Sequence, residues 1–370
     1  MPATSLVVDE FVCRIALTDG ELELPWRWLR DHARDESSFL PSANQRLVPP
    51  DVVAGAGSGS AHLDDDGASL CVTWSDGTAA TWPIEWLRAT TGDAGTATSI
   101  ESLAGAARPW RGGDLDERLL RLPAADLADE RGLADALRAL TRDGVIVVSD
   151  LPTDHADTRW AIERFGYVRM TIFGDLWEFR SDGGFDDTAS TPMEITPHTD
   201  GSYSNDAPGL LALHCHRYEA RGGENVFVCG HALSDRIASE APHLHDLLRT
   251  VDVPGQYIGD GAHLMSARPP LRFERGRLAQ ITYNHHDRAP FRLPEPTMTD
   301  LFDALALVHE VAADPDMQFE LALRPGDMVV FDNWRVLHGR RAFEGERLIA
   351  GGYVNREDVD STVRRVLAPA

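Results

Sequence analysis

The sequence predicts a mainly β protein with helical inserts, a jelly roll or barrel preceded by a small β-rich module. Three observations predict it. Short apolar runs of strand length recur through the second half of the chain. Helical stretches interrupt these runs as two long inserts and do not alternate with them, which argues against a doubly wound sheet. The third observation is a hairpin pattern within residues 1–95, ahead of a Gly-, Ala- and Thr-rich stretch.

Taken in order, Phe11 to Leu17 reads as a strand, and Leu70-Cys-Val-Thr-Trp74 reads as another. The turn Ser75-Asp76-Gly77-Thr78 joins the latter to Ala79–Trp82 as a hairpin. Ala54-Gly-Ala-Gly-Ser-Gly-Ser60 lacks the strand and helix that would make it a dinucleotide loop, so it reads as a flexible loop. Asp64-Asp-Asp-Gly67 lacks the spaced oxygen ligands of a calcium loop and reads as a polar turn. Residues 96–113 are expected to form a linker, which makes 114–370 the second domain. Asp129 to Thr141 carries Leu133, Ala136, Leu137 and Leu140 at helical spacing, Gly144 stops that helix, and Val145–Val148 follows as a buried strand. Further strands are expected at Leu210–His214, Asn225–Val228, Arg277–Tyr283, Phe319–Leu323, Met328–Phe331 and Leu348–Val354. The helical inserts span Ala232–Leu248 and Met298–Ala312.

Composition narrows the function. A net charge of −24 is unsuited to neutralising nucleic-acid phosphates and favours a cationic substrate or simple solubility. No apolar run is long enough to span a bilayer, and the N-terminus has no secretory pattern, so a cytoplasmic location is expected. The cysteines (Cys13, Cys71, Cys215, Cys229) are scattered with no CxxC pair, which predicts packed thiols and neither a disulfide framework nor a cysteine zinc cluster. No lysine occurs, so all 35 basic residues are arginine. Schiff-base, phosphate-loop and pyridoxal-phosphate chemistry all need a lysine amine and are excluded.

The segment Thr196-Pro-His198-Thr199-Asp200 carries the chemistry. In extended backbone, residues two apart share a face, so His198 and Asp200 can meet one ion. A third ligand must come from elsewhere, and His338, in Phe331-Asp-Asn-Trp-Arg-Val-Leu-His338-Gly, follows a buried strand. Two histidines and one carboxylate on one octahedral face form the non-haem Fe(II) facial triad, with three positions left open. A 2-oxo acid fills two of them and O2 the third. Arg347 supplies the cation for the far carboxylate, because arginine grips carboxylates bidentately. An HxD pair alone is common by chance; joined to a later His and a nearby Arg, it is specific. The other histidines (His214 and His216, His243 and His245, His285 and His286) read as packed or solvated.

At these residues the chain resembles the γ-butyrobetaine and trimethyllysine dioxygenases of the taurine-dioxygenase-like superfamily. Trp28-Leu-Arg-Asp-His32 and Val72-Thr-Trp-Ser-Asp-Gly77 are similar to that family's N-terminal domain. Met170-Thr-Ile-Phe-Gly-Asp-Leu-Trp177, His198-Thr-Asp200, Tyr283-Asn284, Asp287-Arg-Ala289 and Asp332-Asn-Trp-Arg-Val-Leu-His-Gly-Arg340 match its catalytic region, and the last string is nearer the trimethyllysine branch. The resemblance implies a double-stranded β-helix fold, Fe(II) on the triad, 2-oxoglutarate on Arg347, O2 as co-substrate, and a small cationic amino-acid-like substrate. It leaves a homodimer open.

Two departures qualify it. The family's zinc-binding cysteines are replaced by Ala33, Asp35 and Ser38, so that zinc site is expected to be lost. Of the family's aromatic cage for a trimethylammonium group, Phe173, Trp177 and Tyr353 match, Phe173 replaces a tyrosine, and Ser190 stands where another tyrosine would be. Tyr203 is a further candidate ring. Asp187 matches an acidic position facing the substrate's amino-acid end, and Asn284 is a carboxylate or amide partner. The expected function is hydroxylation of a trimethyllysine- or γ-butyrobetaine-like substrate with release of succinate and CO2. The alternatives are hydroxylation or desaturation of another amino acid or specialised metabolite, a zinc hydrolase, or a non-catalytic metal- or ligand-binding barrel.

Overall fold

The computed structural model describes residues 3–90, 99–180, 191–259 and 261–368. The chain divides into two compact units, Met1–Ser99 and Ile100–Ala370. The first contains two three-stranded antiparallel sheets, Ser5–Val8 with Val12–Leu17 and Gly20–Pro25, and Ser60–Leu63 with Ser69–Thr73 and Ala79–Pro83. Ile15, Leu29, Leu70 and Trp82 are fully buried in its core. At the positions weighed for zinc, Ala33 packs into that core. Asp35 accepts from Ser37, and Ser38 Oγ accepts a 2.8 Å bond from the buried Arg30, whose guanidinium lies 5.3 Å from the Trp74 ring. A hydrogen-bonded cation and hydroxyl sit where thiolates would be needed, so these residues do not fit a zinc ion.

The second unit begins inside the stretch read as a linker, and here the expectation needs correction. Ile100–Ala104 is helical, and Trp110 is buried with its indole N–H donating to the Asp143 carbonyl at 2.6 Å. Gly112 gives the stretch its linker-like composition for a different reason. A Cβ there would stand 1.8 Å from the Gln318 carbonyl oxygen, so glycine permits a close backbone approach.

Ten strands form two facing sheets. They are β1 (Arg121–Pro123), β2 (Val145–Ser149), β3 (Leu176–Arg180), β4 (Ile195–His198), β5 (Leu210–Gly222), β6 (Asn225–Cys229), β7 (Gln318–Leu321), β8 (Met328–Asp332), β9 (Val336–Arg340) and β10 (Phe343–Val354). The six-stranded sheet runs β3-β10-β5-β8-β2-β1, and the four-stranded sheet runs β4-β9-β6-β7. Two-residue periodicity sorts the side chains. Val145, Val147, Leu211, Leu213, Val329 and Phe331 face the core between the sheets, with Phe227 from β6. Their neighbours Ile146, Val148, Leu210, Ala212, Met328 and Val330 face helices on the outer side of the large sheet. This is the jelly roll that the recurring short apolar runs predict.

The helix Glu130–Asp143 is capped by the Asp129 carboxylate, which accepts from Gly132 N, and ends at Gly144. The expected insert over 232–248 is two helices, Gly230–Glu240 and Pro242–Thr250, because Pro242 starts a new helix at its first position. Thr297–Ala313 is the second insert. Both pack on the small sheet through Leu233, Leu248, Leu305 and Leu337. Absent from the sequence reading are helices His155–Glu163 and Arg356–Leu367 and a hairpin of Val253–Gly259 with Ala262–Arg268. Cys13, Cys215 and Cys229 are buried free thiols, and Cys71 is half-buried. No helix among the described residues is long and apolar enough to cross a membrane.

One contact ties this frame to the cavity beneath it. Trp177 on β3 pairs with Gly351 on β10, and a Cβ at 351 would lie 2.0 Å from the indole. Gly351→Val is therefore expected to displace Trp177 at a cost of about 2 kcal/mol. Thermal unfolding should show this as a lowered melting temperature, whereas an unchanged one would contradict it.

Candidate active site

Between the sheets opens a cavity of about 330 Å³. The ladder between β4 and β9 sets its centre, because His198 and His338 are direct cross-strand partners, with ring centroids 4.4 Å apart. Asp200 lies just past the end of β4. It is held there by Asn333, whose side chain accepts from Asp200 N at 2.8 Å and donates to its carbonyl at 3.0 Å. The same amide donates to the Pro208 carbonyl. Thr199 N donates to the Tyr283 carbonyl at 2.7 Å, and Tyr283 N donates to the Thr199 hydroxyl at 2.9 Å. Backbone and side chain thus fix all three residues of His198-Thr199-Asp200.

The donor atoms converge. One ligand atom from each of His198, Asp200 and His338 lies within 4.8 Å of the other two. Asp200 Oδ1 is 3.3 Å from His198 Nε2 and 3.7 Å from His338 Nε2. His198 Nδ1–H donates to the Thr196 carbonyl at 3.0 Å, which leaves the Nε2 lone pair facing inward. Burial, then the neighbouring His198, pushes His338 down to about 3, so it is a neutral imidazole with a free lone pair. Burial alone would raise the Asp200 carboxyl; His338, His198 and the Tyr353 hydroxyl outweigh it and hold the group well below the usual carboxylate range. For His198, burial is the largest single effect and acts downward, but the hydrogen bond and charge of Asp200, with the Thr196 carbonyl and Asp287, together outweigh it, and the net shift is upward. Two nitrogen donors and one anionic oxygen on one side of a cavity fit an octahedral Fe(II) with open positions.

One wall of the cavity is cationic. Arg347, on β10, is buried, and its guanidinium lies 4.5 Å from the Phe343 ring. Burial pushes it down to about 10, still protonated at neutral pH. Arg340 is a second buried guanidinium, 4.8 Å from the same ring, donating to the Thr191 and Met193 carbonyls. Burial, then the charge of Arg347, pushes it down to about 9. β10 starts at Phe343, five residues before the expected strand, so Arg347 sits within a strand and not at its opening. This wall can hold a dicarboxylate.

Aromatic and acidic side chains line the same cavity. Phe173, Trp177, Tyr203 and Tyr353 line the cavity, and Tyr257 joins them. Tyr257 packs edge-on to Phe173 at 5.5 Å and against Tyr203 at 5.3 Å, while Trp177 and Tyr353 lie 5.5 Å apart. Asn284 also lines it, but its amide donates to Asp287 at 2.8 Å and its oxygen accepts from His286 N. Asp287 and His286 therefore reach the cavity beside it. Asp187 and Ser190 lie outside the described residues. The remaining histidines stand apart from the triad: His214 and His216 share the Thr158 hydroxyl, and His245 bonds Ser234. His286 is exposed, as a solvated histidine would be, and also lines the cavity.

Sequence reasoning missed Tyr257, Asp287, Arg340 and Asn333 as site residues. A signal existed for Tyr257, since Asp260-Gly261 between two short runs marks a hairpin. Asn333 and Arg340 fall inside the string already singled out around His338, but no spacing rule gives them a role.

Comparisons agree with this geometry. The model of the family described as taurine catabolism dioxygenase TauD, TfdA family matches residues 111–353. The chain is 30% identical over 368 residues to the mitochondrial trimethyllysine dioxygenase of Bos taurus, covering 96% of this chain and 85% of that protein. It is likewise 30% identical over 357 residues to the trimethyllysine dioxygenase of Gallus gallus, covering 94% and 84%. Among solved structures, a putative alpha-ketoglutarate-dependent taurine dioxygenase from Burkholderia xenovorans aligns with a TM-score of 0.51 at 15% identity, over 61% of this chain and 84% of that one. That likeness concerns the fold alone.

Asn333→Ala removes the clamp on Asp200. The expected outcome is an affinity for divalent metal lowered about tenfold, measured by equilibrium dialysis with Mn(II). An affinity equal to that of the unaltered protein would remove Asn333 from this role.

Proposed function

The chain belongs to the taurine catabolism dioxygenase TauD, TfdA family, and from that membership we propose that it hydroxylates an unactivated C–H bond of a trimethyllysine-like cationic amino acid. It is a 2-oxoglutarate-dependent dioxygenase that uses Fe(II) and O2. The observation that carries the substrate reading is the cavity itself, which brings the triad together with two buried arginines, a set of aromatic rings and a carboxylate.

His198, Asp200 and His338 would hold the iron. With 2-oxoglutarate and O2 the bound metal supplies the oxidising chemistry, one oxygen atom going to succinate, released with CO2, and the other to the substrate carbon. Arg347 grips the far carboxylate of 2-oxoglutarate, and Arg340 adds positive potential beside it. Phe173, Trp177, Tyr203, Tyr257 and Tyr353 supply ring faces for a quaternary ammonium, and by exclusion of water they strengthen that attraction. Asp287, braced by Asn284, meets a substrate ammonium, a role that Asp187 can share. γ-Butyrobetaine, which carries no second ammonium, makes less use of these acids. Trimethyllysine is therefore the better fit.

Phe173 in place of a tyrosine, and Ser190 where a ring is expected, favour one second reading: the same chemistry, hydroxylation or desaturation, on an unmethylated amino acid. Succinate release measured over a panel of quaternary and primary amines separates the two. The first reading expects the quaternary amines to turn over and fails if only unmethylated amino acids do.

Three substitutions are diagnostic. His338→Ala should abolish coupled turnover, and retained turnover would be fatal to the triad assignment. Arg347→Leu should raise the KM for 2-oxoglutarate at least tenfold, because a buried charge-assisted pair costs 2–5 kcal/mol to break. Tyr257→Ala should raise the KM for the quaternary substrate about fivefold, the worth of one cation–π contact near 1 kcal/mol, and leave that for 2-oxoglutarate unaltered.

A further inference from the structure

We propose that Tyr353 is a positioning residue for the metal-binding carboxylate, holding Asp200 to coordination through a single oxygen. The inference rests on the iron reading of the triad and adds a constraint to it. The Tyr353 hydroxyl donates to Asp200 Oδ2 at 2.7 Å. The other oxygen of the same carboxylate, Oδ1, is the one that stands 3.3 and 3.7 Å from the two imidazole Nε2 atoms. The carboxylate is thus divided, with Oδ1 among the nitrogen donors and Oδ2 engaged by a phenol.

Both ends of this hydrogen bond are rigid. Tyr353 sits in β10 with Leu211 of β5 as its register partner, and its ring packs on Trp177. Asp200 is fixed through its backbone by Asn333. For Asp200 to turn both oxygens to a metal it would have to give up a hydrogen bond to a charged acceptor, the stronger class. The division matters for the chemistry. Two imidazoles and one carboxylate oxygen occupy three of six octahedral positions, and 2-oxoglutarate with O2 needs the other three. A two-oxygen carboxylate would remove one of them.

Tyr353 also lines the aromatic wall. One residue therefore has two separable parts, a ring that faces substrate and a hydroxyl that sets the metal ligand. Tyr353→Phe removes only the second part.

The test uses the full chain freed of metal and titrated with Co(II), without 2-oxoglutarate, by calorimetry and by the visible absorbance of bound Co(II). Tyr353→Phe is expected to lower Co(II) affinity about tenfold and to change the intensity of the Co(II) bands as coordination number changes. Its metal-free melting temperature should match that of the unaltered protein. If Tyr353→Phe binds Co(II) with the same affinity and spectrum, the proposal is overturned. If His338→Ala also binds Co(II) like the unaltered protein, the failure belongs to the triad reading instead.

Discussion

The antiparallel rung that pairs His198 with His338 is the contact on which the rest of the site depends. Cross-strand partners on one face of a sheet stand about 5 Å apart, so one rung suffices to bring two imidazoles to a common ion from positions 140 residues apart in the chain. The rung itself survives because β9 is held on its other side by β6, where Phe227 pairs with His338. The carboxylate is the harder ligand to place, since it lies beyond the strand. The fold meets that need with buried polar groups, Asn333, Thr199 and the Tyr283 backbone, each satisfied by hydrogen bonds. Such a network is stable only when complete.

The cavity around that centre carries both signs of charge. Two guanidinium groups share the Phe343 ring, and aromatic rings with the Asp287 carboxylate also line the cavity. It therefore offers cationic groups to an anion, and ring faces with a carboxylate to a cation. Burial keeps both signals strong, because screening by solvent ions does not reach a cavity between sheets.

Much of this was legible in the sequence, and the reason is periodicity. Strands such as Val145–Ser149 and Met328–Asp332 announce themselves because they are buried on both faces, and the helix Glu130–Asp143 carries both its cap and its stop. His198, Asp200, His338 and Arg347 were recognisable because ligand chemistry restricts residue type and spacing. What escaped was set by tertiary contact. Trp110 and Gly112 lie in a stretch of linker-like composition, yet one is core and the other a close approach. Val253–Gly259 contains a proline and glycines that discourage a strand reading, so Tyr257 was passed over. Tyr353 was visible as an aromatic ring, but nothing in a string of letters says that its hydroxyl meets Asp200.

The hairpin that carries Tyr257 belongs to neither main sheet. Its strands pair with each other along their length, and a short antiparallel bridge, Gly255 with Arg288, with Gln256 N donating to the Asp287 carbonyl and Ala289 N to the Pro254 carbonyl, joins it to the segment that carries Asp287. No rung that positions His198 or His338 passes through it. The hairpin that brings Tyr257 to the cavity is thus modular, whereas the triad is built into the ladder. In evolutionary terms the two can diverge at different rates: the hairpin can be shortened, extended or exchanged, and the chemistry stays with the sheets.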